Sequence, residues 1–221
     1  MNFIQRVVGM ITKPGETMKD IIAEPRVEES LLVVAAYVVL LMIQSYITIS
    51  HVNIVLTDNT SSISPDTLKL IMYVFGMGGA VVLGLLLWPI ITAILHLFAM
   101  VFGGEGKFYP QVLTGIGFSY VPKIFMAVIL IALATQMPDT TVNVSSSGGS
   151  SGIAGAALTG TLYWAQLAVS TLFLIWSCYL GALAIKDGEK LSMNNALIVV
   201  GVPLALYLVA TLGGGFLLSL I

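Results

Sequence analysis

Two histidines, one cysteine and eleven acidic side chains are what this chain of 221 residues offers for acid–base, nucleophilic or metal chemistry. The acids are Glu16, Asp20, Glu24, Glu28, Glu29, Asp58, Asp66, Glu105, Asp139, Asp187 and Glu189, and none falls within the strongly apolar runs. An ion-coupled transporter or proton pump works through an intramembrane carboxylate, and an intramembrane aspartyl protease through two, so both readings lose their footing. His51 and His96 sit on separate apolar runs, and no HExxH or CxxC accompanies them, so no metal centre is expected. A serine hydrolase would need a serine, a histidine and an acid brought together, and no such grouping is expected. Gly103-Gly104-Glu105-Gly106 lacks the following Gly-Lys-Ser/Thr of a phosphate loop. Cys178 is alone in an apolar run, where a thiol packs as a small hydrophobe. The expectation is a protein that is not an enzyme, with no catalytic residue, cofactor or metal. No basic run suggests nucleic acid.

The elements that would have to position any such group are written for lipid. Apolar residues make up 57% of the chain and charged ones 9%, with a mean hydropathy of +1.00. The implied fold class is all-α, a polytopic transmembrane helical bundle. Five spans are read, at about 30–50, 70–102, 119–136, 161–185 and 193–221. The second is longer than the roughly 20 residues that suffice, and Pro89 is its expected bend. Splitting it there would leave two short halves with no polar turn between them. Alternate connections carry Arg6, Lys13, Lys19, Arg26, Lys107, Lys123, Lys186 and Lys190 on one side and Lys69 on the other. The excess predicts a cytoplasmic N-terminus and an extracytoplasmic C-terminus.

Residues 1–29 do not fit a signal peptide, being interrupted by charges and Pro14. Phe3, Ile4, Val7, Val8 and Ile11 recur at helical spacing, and Met18, Ile21 and Ile22 repeat the face after Pro14. Two short amphipathic helices, or one kinked one, are expected before a transmembrane region over 30–221, lying in the interface or equally docked on the cytoplasmic face of the bundle. The 51–69 and 137–160 connections are polar, the second with the tether-like SSSGGSSG, and Asn59 and Asn143 fit the N-glycosylation tripeptide. Gln44, Ser45, Thr92, Gln166, Ser170, Thr171 and Ser177 lie within spans, where interhelical hydrogen bonds are the first expectation and a polar path the second. Gly76, Ala80 and Gly84 form a small-residue face suited to helix packing, inside one subunit or along a homodimer seam.

The apolar pattern breaks at 101–125, VFGGEGKFYPQVLTGIGFSYVPKIF. Gly103, Gly104 and Gly106 permit a sharp reversal, YPQVLTGIGFSY reads as an amphipathic piece along the interface, and Pro122 with Lys123 reads as a helix start. The run Phe102-Gly103-Gly104-Glu105-Gly106-Lys107-Phe108, followed by Gly117-Phe118-Ser119-Tyr120-Val121-Pro122, resembles the Yip domain family of polytopic membrane proteins, first described as Ypt-interacting. ITKPGETMKDIIAEP near the start and AIKDGEKLSMNNAL before the last run are similar to that family in order and spacing. The resemblance implies five spans, a cytoplasmic N-terminus and, for eukaryotic members, work in membrane traffic through Ypt/Rab GTPases and other Yip-type proteins. The chain lacks the long tail and acidic Asp-Leu-Tyr-Gly-Pro motif of those members, and so looks more like short-tailed prokaryotic ones. A cell-membrane scaffold for membrane or membrane-protein partners is the leading expectation. A lipid or hydrophobic-solute conduit comes next, motivated by intraspan Pro and Gly, and a small-GTPase adaptor last. Gly103, Gly104, Gly106, Phe108, Gly117 and Pro122 are the positions singled out, as a shaped loop.

Overall fold

The computed structural model describes residues 1–56, 63–144 and 161–218, and they are overwhelmingly helical. The chain order is α1 (Phe3–Thr12), α2 (Pro14–Ala23), α3 (Val27–Ser50), β1 (Val52–Leu56), α4 (Pro65–Val101), a kinked turn over Phe108–Val112, α5 (Leu113–Phe118), α6 (Val121–Ala134), β2 (Thr140–Val144), α7 (Thr161–Gly188) and α8 (Met193–Leu218). Among the described residues, four stretches are long and apolar enough to cross a bilayer: α3, α4, Phe108–Ala134 and α7. Asn59 and the Gly/Ser run at 145–152 lie outside the described residues.

Local chemistry accounts for the boundaries. Asn2 and Gln5 form a reciprocal capping box that starts α1. Pro14 opens α2, where its missing N–H costs nothing. Glu28 and Glu29 occupy the first turn of α3, favourable beside the positive end of its dipole. The helices therefore run past the apolar spans and carry acids at their ends. α4 is one continuous helix of 37 residues with Pro89 inside it, not two spans. At 1.5 Å per residue it measures about 55 Å, well beyond a hydrocarbon core of about 30 Å.

The chain divides into two compact units. One contains Ala35–Leu86 and Lys123–Phe173. Within it, a Cβ on Gly76 would meet Ser45 Oγ at 2.8 Å, and one on Gly84 would overlap Val38, so the small-residue face of α4 receives α3 from the same chain. Tyr46 and Tyr73 stack at 5.4 Å between the same helices. The sequence reading gave the 51–69 and 137–160 connections only polar, flexible character. In fact β1 and β2 pair in parallel, Val52 opposite Thr140 through Leu56 opposite Val144. His51 sets the register: its Nδ1 lies 3.0 Å from Asp139 Oδ1, and its carbonyl accepts from Thr140 N–H at 2.8 Å. Asn143 is exposed on β2.

The other unit contains Met1–Val34, Leu87–Pro122 and Leu174–Ile221. Its centre is the stretch expected to lie along the interface. Every residue from Val112 to Pro122 is buried within this unit, so the piece is packed on all sides and has no open face. The reason is steric. Gly115 sits 2.9 Å from the Ala184 methyl and 3.0 Å from Ile22 Cδ1, measured from where its Cβ would be, so α2 and α7 both close on the α5 backbone. Trp88 on α4 donates its indole N–H to the Leu113 carbonyl at 3.1 Å, inside the packed unit.

Candidate functional site

The last turn of α7 ends with the Glu189 N–H bonded to the Ile185 carbonyl at 2.8 Å. Lys190 then takes a left-handed conformation at φ 57°, which reverses the chain into α8. This turn delivers Glu189 into the interior, where it is fully buried. The α4–α5 turn meets it there. Gly103 reverses the chain at φ 83°, in open space, and the Gly104 N–H bonds back to the Ala99 carbonyl at 3.0 Å. Glu189 Oε1 takes a short hydrogen bond with His96 Nδ1, and Oε2 accepts from the Gly106 N–H at 3.0 Å. The Glu189 carbonyl accepts from the Glu105 N–H at 3.1 Å. The Phe108 ring lies tilted against the His96 imidazole, centroids 5.9 Å apart.

The glycines have separable duties. Gly103 needs its positive φ, which side chains with a Cβ disfavour. Gly104 and Gly106 instead need an absent Cβ. At Gly106 it would overlap the Gly188 carbonyl oxygen and stand 2.8 Å from Glu189 Oε2; at Gly104 it would stand 2.9 Å from the same oxygen and 3.0 Å from the Ala99 carbonyl oxygen. Gly103, Gly104, Gly106 and Phe108 thus gather around one buried carboxylate. Gly117 and Pro122 lie elsewhere: Gly117 admits Ser30, whose Cβ stands 2.5 Å from the site of its missing Cβ, and Pro122 is buried in the first turn of α6.

A second charged knot ties the N-terminus down. Arg6 is fully buried, its Nε 2.9 Å from Asp20 Oδ2 and its Nη1 3.1 Å from Glu29 Oε2. Arg26 Nη1 reaches the other Glu29 oxygen at 3.0 Å, and the terminal ammonium reaches Asp20 Oδ1 at 3.2 Å. Burial pushes the Asp20 carboxyl up, but hydrogen bonds from the ammonium and Arg6, with their charges, outweigh it and hold Asp20 below its ordinary value. A carboxyl with a depressed folded pKa stabilises the fold at pH above its unfolded value, about 3.9, and that contribution fades as pH falls through the folded value. Asp20→Asn is therefore expected to lower the melting temperature at pH 7, with the gap to wild type closing below about pH 4. A gap that stays constant from neutral pH to acid would refute the assignment.

Glu189, His96, Arg6 and Glu29 were not singled out in the sequence. Glu189 and Glu29 both lie outside the apolar runs, where hydropathy gives no sign of burial. The available signal was Gly-x-Gly at 104–106 shortly after a lone histidine near the end of the preceding apolar run. Thr92 also departs from the interhelical reading, donating to the Trp88 carbonyl of its own helix at 2.7 Å. Each Glu189 side-chain oxygen has a hydrogen-bond partner, so the group joins two turns. Among the described residues, no group of three His, Cys, Asp or Glu side chains is placed to hold a metal ion.

A family profile for the Yip1 domain matches residues 8–214. An uncharacterized protein of Methanocaldococcus jannaschii is 27% identical over 135 residues, which is 61% of this chain and 92% of that protein. No solved structure matches.

Proposed function

Since the chain belongs to the Yip1 domain family, matched over residues 8–214, and is a multi-pass membrane protein, we propose that it acts as a non-enzymatic scaffold that organises membrane or membrane-protein partners. The observation that carries this reading is how the polar groups of the first unit are used. Glu189, His96, Arg6, Asp20 and Glu29 bond to one another and to backbone, which rigidifies a platform built from α1, α2 and two turns. Such a platform suits holding a partner in register more than transforming one.

The topology belongs to the same proposal: five spans, α8 being the fifth, with a cytoplasmic N-terminus in the cell membrane. Two features support it. The N-terminal helices, the α4–α5 turn and the α7–α8 turn share one unit, while the α3–α4 and α6–α7 connections pair as strands in the other. That grouping follows the lysine and arginine asymmetry, with Lys69 alone in its connection. A conduit for lipid or hydrophobic solute is the second reading, favoured by Gln44 Oε1 and Ser177 Oγ, buried in the spans without a hydrogen-bond partner.

Reconstitution at rising protein density separates the two. The scaffold is expected to change vesicle diameter or shape in cryo-electron micrographs while fluorescent lipid stays in its leaflet. It should also form a discrete crosslink in native membranes from a photoreactive group at Glu16, which is well exposed. Lipid scrambling above empty vesicles would transfer the proposal to the conduit. Unchanged vesicles with no crosslink would remove the scaffold.

A further inference from the structure

α1 has two faces, and only one is used by the fold. Arg6, Gly9 and Met10 are buried, and Phe3 packs on Phe118 with ring centroids 6.4 Å apart. The other face is apolar yet open: Ile4 is 70% exposed, Val8 51% and Ile11 39%. A contiguous apolar stripe left open on an otherwise packed helix marks an interaction surface.

The packing fixes the level at which this face sits. The Arg6–Glu29 ion pair, at 3.1 Å, ties α1 to the last charged residue before the apolar run of α3. Directly after it, Leu31 is 45% exposed and Leu32 58%, the first side chains of a lipid-facing surface. Phe118, the partner of Phe3, comes three residues before Val121, where α6 begins. α1 is therefore held where two apolar stretches start, at the boundary between headgroups and acyl chains.

We propose that Ile4, Val8 and Ile11 insert into the headgroup–acyl boundary of the leaflet in which the chain is embedded, with the bilayer as the occupant of this face. The insertion is apolar in origin. Residues 1–29 carry Arg6, Lys13, Lys19 and Arg26 against Glu16, Asp20, Glu24, Glu28 and Glu29, so there is no cationic excess to recruit anionic lipid. The inference depends on membrane embedding and not on the scaffold reading.

The test uses the full chain in liposomes, with an environment-sensitive fluorophore at Val8→Cys or Glu16→Cys in a Cys178→Ala background. At position 8 the emission is expected to shift to the blue. Nitroxide placed high on the acyl chain should quench it several-fold more than nitroxide near the chain end or aqueous iodide. Position 16 should show the reverse. Neither salt nor added phosphatidylglycerol should change the pattern. If removing Cys178 disturbs the fold, a genetically encoded fluorescent amino acid at position 8 gives the same readout with Cys178 in place. Iodide quenching at position 8 equal to that at 16 would overturn the proposal. So would protection from both iodide and lipid nitroxide, which would mean that a protein, a second copy included, covers the face.

Discussion

Alanine at position 106 is expected to be among the most damaging single substitutions in the chain, while asparagine at 103 should be nearly silent. The added Cβ at 106 would overlap the carbonyl oxygen of Gly188 and press to 2.8 Å on Glu189 Oε2. Overpacking against side chains costs about 1–3 kcal/mol because they can move. Here the struck atom is backbone, and the same displacement breaks the 3.0 Å bond from the Gly106 N–H to Glu189. A loss above about 3 kcal/mol follows. At roughly 2–4 °C per kcal/mol, that is a fall in melting temperature on the order of 10 °C. Gly103 is different in kind. Its φ is 83°, with nothing within 4 Å of where a Cβ would sit, and asparagine tolerates the left-handed region best among residues with a Cβ. Gly103→Asn should cost under about 1 kcal/mol. Melting curves of the two variants in one detergent check the contrast. Equal curves would mean that the turn does not seat on α7 as described.

Much of the architecture was legible because a bilayer imposes simple demands on sequence. The apolar runs marked α3, α4, α6 and α7 to within a few residues, and the break at 101–108 marked the turn. Pro14 and Pro25 bounded α2. Tertiary facts were less legible. Two glycines in LTGIGF give no sign of a buried helix, since glycine is a poor helix former in isolation. The structure uses those same glycines to let Ile22, Ala184 and Ser30 approach the backbone, a benefit that exists only once the neighbours are in place. The parallel pairing of β1 with β2 joins segments 88 residues apart, as the His51–Asp139 contact shows, and periodicity carries no information at that separation. The glycine cluster was visible as a group. Its centre was not, because Glu189 lies 83 residues beyond Gly106 in the chain.

Removing that carboxylate gives the second large effect. Glu189→Ala deletes a fully buried group that joins His96 on α4 to the Gly106 backbone. The alanine leaves a part-buried imidazole nitrogen and amide N–H without their acceptor, and since breaking a buried pair from one side costs about 3–5 kcal/mol, a loss toward the lower end of that range is expected. Glu189→Gln should cost less. Its carbonyl oxygen can still accept from Gly106, and its amide can donate to a neutral His96 whose Nδ1 then accepts. A double-mutant cycle isolates the contact itself: His96→Ala, Glu189→Ala and the pair together. Because the two side chains bond directly, the double variant should fall short of the summed single losses by more than about 1 kcal/mol. Strict additivity would show that His96 and Glu189 act independently. The carboxylate would then be held by backbone alone, and the rigidity ascribed to the platform would have to come from the apolar packing of α2, α5 and α7 instead.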